Sequence, residues 1–137
     1  MTLAEKQAQL TAQLTAVKNG QDRLAFLVGE AKKTLPLPAE LRKDDHLIPG
    51  CLAKLWFIAR SRDGVCFFAC DSDSVVVKAI AGLLCEFYSG HTAAEILAHD
   101  PKFLGPLGIT QHLTPNRRNA LSKVWESIRQ FAEANAG

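Results

Sequence analysis

Residues 53–60, Ala53-Lys54-Leu55-Trp56-Phe57-Ile58-Ala59-Arg60, lead through Ser61-Arg62-Asp63-Gly64 into Val65-Cys66-Phe67-Phe68-Ala69-Cys70, and this stretch decides the fold class. Side chains on a strand alternate between its two faces. The first run therefore sets Ala53, Leu55, Phe57 and Ala59 against Lys54, Trp56, Ile58 and Arg60. Asp63-Gly64 is a strong hairpin signal, because a tight turn that matches strand twist needs residues tolerant of positive φ. The second run is wholly apolar, as suits a central strand or one covered on both faces.

Helix signals lie on both sides of this hairpin. Downstream, Asp71-Ser72-Asp73 offers N-caps, whose short oxygen-bearing side chains accept the orphan amides of a first turn. The helix expected from about Ser74 to Tyr88 buries Val76, Ile80, Leu83, Leu84 and Phe87, and Ser89-Gly90 stops it. Thr92 to Glu95 reads as a capping box. Asp100-Pro101 and Thr114-Pro115 each read as an N-cap followed by proline at the first helical position. The last helix is expected to bury Leu121, Val124, Trp125, Ile128, Phe131 and Ala132, with a frayed tail from Glu133 to Gly137. Upstream, Leu3, Leu10, Leu14 and Val17 recur at helical spacing until Asn19-Gly20. A second helix then sets Leu24, Leu27, Val28, Ala31 and Leu35 on one face, ended by Pro36 and Pro38. Residues 39–50 read as an exposed loop closing on Pro49-Gly50.

Clustered strands with helices on either side predict an α+β fold, a small antiparallel β-sheet packed by N-terminal, central and C-terminal α-helices. A chain of 137 residues fits one domain, 1–137, with residues 1–20 as a peripheral helix. With 47% hydrophobic and 22% charged residues, the composition is that of a globular protein and not of a disordered one. A formal charge of +2, with Arg117-Arg118 as the one arginine pair, argues against a nucleic-acid partner. No apolar stretch approaches the roughly 20 residues that span a bilayer, and the Gln/Ala-rich start lacks a signal-peptide pattern, so the expectation is a cytoplasmic protein with no membrane partner.

In a reducing compartment the four cysteines, at 51, 66, 70 and 85, read as free thiols. No CxxC occurs. Cys66 and Cys70 lie in an apolar strand and Cys85 in a helix, where core packing is the simpler reading. Cys51 differs. It follows Pro49, which stiffens the approach, and Gly50, which permits backbone angles closed to other residues, and it precedes the first strand. Such a loop can hold a side chain at a tip or let it swing. Cys51 is the candidate nucleophile, and its thiolate is the reactive form. At an ordinary thiol pKa only about 3% is thiolate at pH 7. Lys54 is near in sequence, and His46 and Arg117 are the cations that the fold would have to bring closer. Of the other histidines, His91 and His99 read as solvated surface residues, and His112 as support for the start of the last helix. The GxSxG elbow, the P-loop and HExxH are absent.

Ile48-Pro49-Gly50-Cys51 with Trp56 resembles the SufE family pattern, roughly Val-x-Gly-Cys-Gln-Ser-x-Val-Trp. The resemblance continues through Asp71-Ser72-Asp73, a helix carrying Lys78, Leu83 and Tyr88-Ser89-Gly90, and Leu113-Thr114-Pro115-Asn116-Arg117. Upstream it takes in Asp22-Arg23-Leu24 and Leu35-Pro36-Leu37-Pro38, so that it covers about residues 21–132. Two departures stand out: Leu52-Ala53 replaces Gln-Ser, and Cys70 replaces the glycine often found before Asp-Ser-Asp. The resemblance implies a SufE/IscU-like fold and a sulfur acceptor, not an enzyme by itself. Cys51 would take persulfide sulfur from a pyridoxal-phosphate cysteine desulfurase (SufS-like or CsdA-like), stimulating it, and pass the sulfur to an iron–sulfur scaffold or another acceptor. The pyridoxal phosphate would belong to the partner, with no cofactor or metal held by this chain beyond a transient persulfide. Pro49 and Gly50 would shape the cysteine loop, and Arg117, Lys54 and Asp73 would support the site or meet the partner.

Three alternatives stay open. A desulfurase-docking adaptor without sulfur transfer is motivated by Leu52-Ala53. A cysteine-based metal module meets an obstacle, because Cys66 and Cys70 on one strand would stand roughly 13 Å apart where two zinc ligands stand about 4 Å apart. A Cys/His hydrolase would need a histidine beside Cys51.

Overall fold

The computed structural model describes residues 1–136. Two strands, β1 (Leu55–Arg62) and β2 (Val65–Ser72), form the expected hairpin. They pair antiparallel in one register, from Leu55 opposite Ser72 to Arg62 opposite Val65. The turn is the two residues Asp63 and Gly64, both left-handed at φ 53° and 79°, the geometry that strand twist favours in a two-residue loop. The expected turn at 61–64 is thus shorter than read, and β1 runs on to Arg62.

A third strand escaped the sequence reading. β3 (His91–Thr92) pairs antiparallel with β2, making the order β1-β2-β3. Two residues carry no periodicity, so no pattern marks such a strand. Its formation puts β2 in the centre, which accounts for that strand's apolar sequence. Gly90, at φ 84°, makes the bend into it and donates its amide to the Cys66 carbonyl at 2.8 Å.

Two helices, α3 (Val75–Tyr88) and α5 (Pro115–Ala134), pack on the sheet; α2 (Gly20–Lys33) and α1 (Leu3–Thr15) pack on α3, and the short α4 (Ala93–Leu97) on α5. Leu55, Cys66 and Phe68 from the sheet meet Val77 and Leu84 of α3 and Val124 and Ile128 of α5 in a common core. Phe68 is stacked on Phe57 at 5.9 Å between ring centres and meets Phe131 edge-on at 5.8 Å. The hydroxyl of fully buried Tyr88 donates to the His99 carbonyl at 2.6 Å, satisfying a polar atom that burial would otherwise penalise. Most of α1 is exposed, yet Leu3 and Leu14 enter the core, and Lys6 Nζ caps the end of α3 at the Phe87 and Ser89 carbonyls. None of these helices is long and apolar enough to cross a membrane.

Several local readings shift. Leu35 is 87% exposed, because α2 ends at Lys33; the residue before a proline is driven extended, and here that is Leu35 before Pro36. In α3 the deeply buried positions are Val77, Ile80, Ala81 and Leu84, so Val76 and Leu83 sit only half-buried at the margins of that face. The cap of α3 is Ser74, whose hydroxyl accepts from the Val77 amide. Asp71, Ser72 and Asp73 are freed for other bonds. Asn19 caps α2, and Gly20 passes so close to Gly108 that a Cβ there would lie 2.2 Å from the Gly108 carbonyl oxygen.

Candidate functional site

Residues 48–55 leave the body of the fold and return to it as a loop pinched at its base. The Ile48 amide donates to the Leu55 carbonyl at 2.9 Å, and Leu47 bridges to Trp56. One flank is bound to the end of β2. There the Lys54 amide donates to Asp73 Oδ1 at 3.1 Å, the Asp73 amide returns a bond to the Lys54 carbonyl at 3.3 Å, and Ser72 Oγ donates to that same carbonyl at 2.6 Å. The tip turns through exposed Pro49 and through Gly50 at φ 84°, a conformation that side chains resist. The Gly50 carbonyl accepts a 2.9 Å bond from Asn119 Nδ2 on α5. Base, flank and tip are thus held to three different parts of the fold.

Cys51 follows that turn. It is half-buried and lines a cleft of about 300 Å³ between the starts of α3 and α5. Ser74 and Val77 line it from α3, and Thr114, Asn116, Arg117 and Ala120 from α5 and its cap. Leu52 turns outward and is 83% exposed. The thiol sits above its ordinary pKa: burial pushes it up, and the ammonium of Lys123 pulls it part of the way back. A carrier that needs thiolate would be expected to show the opposite sign, so Cys51 in this loop is a subdued nucleophile.

The structure brings some expected residues together and not others. Arg117 faces the Cys51 cleft, and its amide is capped by Thr114. Asp73 holds the cysteine loop through Lys54 and does not cap α3. Asp71 is buried and accepts from the Leu37 and Ser72 amides, with Lys78 Nζ 3.8 Å away, so it ties the segment after α2 to the sheet. Lys54 is exposed, bound at the site through its backbone. His46 lies in a 3-10 turn ahead of the loop and does not line the cleft. Asn119 and Lys123 were missed. They share a helix face with Asn116 and Ala120, spaced at 116, 119, 120 and 123, so a helical projection from the Thr114-Pro115 cap would have shown the group but not what it faces.

The remaining cysteines are core residues in whole or in part. Cys66 and Cys85 are buried at 1% and 3% exposure, and the half-buried Cys70 lines a smaller cleft beside Lys78. The neighbouring Cys70 thiol and deep burial push Cys85 well above the ordinary thiol range. Among the described residues no three His, Cys, Asp or Glu side chains gather around a point that could hold a metal ion. His91 is not solvated as expected. It is buried in β3, with Nδ1 3.0 Å from Glu95 Oε2. His99 is half-buried, with Nε2 2.7 Å from Gln7 Oε1. His112 is exposed, in the 3-10 turn that precedes the cap of α5.

Comparison with known proteins adds two findings. The model of the SufE family, described as an Fe-S metabolism associated domain, matches residues 8–132. The match reaches into α1, beyond the span from about residue 21 that the motifs suggest. Among solved structures, the chain is similar to the solution structure of a hypothetical protein from Thermus thermophilus, with a TM-score of 0.72 at 20% identity over 99% of this chain and 98% of that one. At that identity the likeness establishes a shared fold.

Proposed function

This chain belongs to the SufE family, whose domain is associated with Fe-S metabolism, and from that premise we propose that it is a sulfur carrier that receives persulfide sulfur on Cys51 from a pyridoxal-phosphate cysteine desulfurase. The observation that carries the reading is the placement of Cys51. It is the one cysteine on a loop, held at the mouth of a cleft by bonds from β2 and α5.

The transfer balances without an external oxidant or reductant. The Cys51 thiolate attacks the outer sulfur of the donor's protonated persulfide. A new S–S bond forms to Cys51, the donor's S–S bond breaks, and the donor cysteine leaves as a thiolate with the bonding pair. The proton on the transferred sulfur then passes to that thiolate or to solvent, since a persulfide is more acidic than a thiol. Such exchange depends on thiolate fraction, leaving group and access. The pyridoxal phosphate that generates the sulfur belongs to the desulfurase, and the acceptor downstream is an iron–sulfur scaffold or another sulfur-accepting protein.

Closure of the loop fits this role. Burial lowers the thiolate fraction of Cys51 at rest, which suits a thiol that should not exchange with small cellular disulfides. Docking opens the loop, restores solvation and raises reactivity at the point of use. The outward Leu52, beside the nucleophile, supplies an apolar contact for the partner.

The adaptor reading makes a different forecast for one variant. A desulfurase assayed for multiple turnovers is stimulated by the wild-type chain. Under the carrier proposal Cys51→Ser, which keeps the loop and its tethers, loses most of that stimulation. Equal stimulation by Cys51→Ser would overturn the carrier proposal and leave an adaptor.

A further inference from the structure

Lys123 lies on α5, far from Cys51 in sequence, and packs over the turn that presents it. A Cβ added to Gly50 would stand 3.5 Å from Lys123 Cε and 3.9 Å from Nζ, so the lysine crosses the backbone one residue from the sulfur. One turn earlier, Asn119 binds the carbonyl of that same Gly50 at 2.9 Å. The lysine is half-buried and makes no ion pair among the described residues. A lysine can pack its stem on a neighbouring surface and leave its ammonium free to answer an anion close by. Cys51, the residue after Gly50, is a group beside that turn able to become an anion.

We propose that Lys123 is the positioning residue that supplies the counter-charge for anionic sulfur at Cys51, first the attacking thiolate and then the terminal sulfur of the persulfide.

The charges around the sulfur support this assignment. From α5 the cleft receives Arg117, while Lys123 lies outside its lining, over Gly50. From α3 it receives Ser74 and Val77, neither charged. Within the loop Lys54 is exposed, and Asp73 directs its Oδ1 to the Lys54 amide. Lys123 is the cation that opposes the effect of burial on the Cys51 thiol. Arg117 stands at the cleft wall, where an incoming anionic group would meet it. The two cations therefore divide the work, Lys123 on the resident sulfur and Arg117 on what arrives.

The inference rests on Cys51 being the functional nucleophile, but its test needs no desulfurase. The rate of Cys51 alkylation by iodoacetamide, followed by peptide mass across pH, is compared in wild type, Lys123→Met and Lys123→Arg. Met and Arg have helix propensities close to that of Lys, so α5 is retained in both variants. Lys123→Met is expected to move the profile to higher pH and to slow alkylation at pH 7 by about three- to tenfold, since one pKa unit is a tenfold change in thiolate. Lys123→Arg, which keeps the charge, is expected to restore most of the wild-type profile. A purely structural lysine would change the rate at all pH values alike. An unshifted profile in Lys123→Met, or no recovery in Lys123→Arg, overturns the inference. If wild type accepts sulfur from a desulfurase while the Lys123→Met profile is unshifted, the lysine assignment fails and the carrier proposal stands. If the profile shifts as expected but wild type accepts no sulfur, the carrier proposal fails, and Lys123 is left as the counter-charge of a thiol with another use.

Discussion

At the scale of single residues, local signals carry when the chemistry is local. Pro49-Gly50 before a cysteine marks a tight turn, and Gly50 does occupy a left-handed conformation. His91 shows the opposite case. Its neighbours read as a surface junction, yet pairing with Cys66 buries it, and Glu95 answers it from the next helix turn. The His91 hydrogen bond, then the Thr92 amide and hydroxyl, hold the Glu95 carboxyl down to about 2. A depressed carboxyl stabilises the fold at pH above its unfolded value, near 4.3, and the contribution disappears as pH falls toward the folded value. Glu95 is exposed, so solvent screening keeps this share at about 1 kcal/mol or less. Between about pH 4.5 and 2, Glu95→Gln is expected to flatten the loss of stability seen in wild type, as read from urea midpoints across that range. Parallel curves for the two proteins would show that the His91–Glu95 pair does not act in this way.

At the scale of elements, the hairpin and most of the helices were legible because their information lies within one or two turns: alternation over 53–60, Asp63-Gly64, and the caps at Thr92, Asp100 and Thr114. The short β3 was not, and neither was the role of Asp71, whose partner amide at Leu37 lies on another segment. The cysteine loop divides in the same way. Its turn and its nucleophile are written side by side, whereas its tether is Asn119, on a helix that only the fold brings near. That single bond holds the tip, while the base and flank are held by several. A hydrogen bond of this kind contributes about 0.5–1.5 kcal/mol net. Asn119→Ala is therefore expected to leave the global urea midpoint almost unchanged but to open the loop, accelerating Cys51 alkylation by about two- to tenfold, the same energy expressed as a rate. An unchanged alkylation rate would mean that the tip is not latched by Asn119.

At the scale of the whole molecule, α3 and α5 both pack against the sheet, and their N-terminal ends form the walls of the cleft that Cys51 enters. The reading of an α+β fold with helices around a small antiparallel sheet holds at this scale. So does the family, in which the matched residues run from within α1 into the last turn of α5. What remained hidden in the sequence is charge placement. Lys54, His46 and Arg117 were the cations within view of Cys51, while the one that acts on its thiol is Lys123. Helical spacing groups Lys123 with Asn116, Asn119 and Ala120, but only the packing of α5 against the loop shows that this face meets the nucleophile. The thiol is thus held above its ordinary pKa by burial, its loop is tied by one side-chain amide, and one ammonium works against the burial.

The central claim is that Cys51 carries the sulfur. The direct test mixes the protein with an active cysteine desulfurase and free cysteine, then measures intact mass without reductant and maps the modified peptide, with Cys51→Ser alongside. The account predicts a gain of one or more sulfur atoms on wild type, confined to the peptide that contains Cys51, and no gain on Cys51→Ser. An unmodified wild type in complex with a turning-over desulfurase, or sulfur located on Cys70 instead, would contradict it.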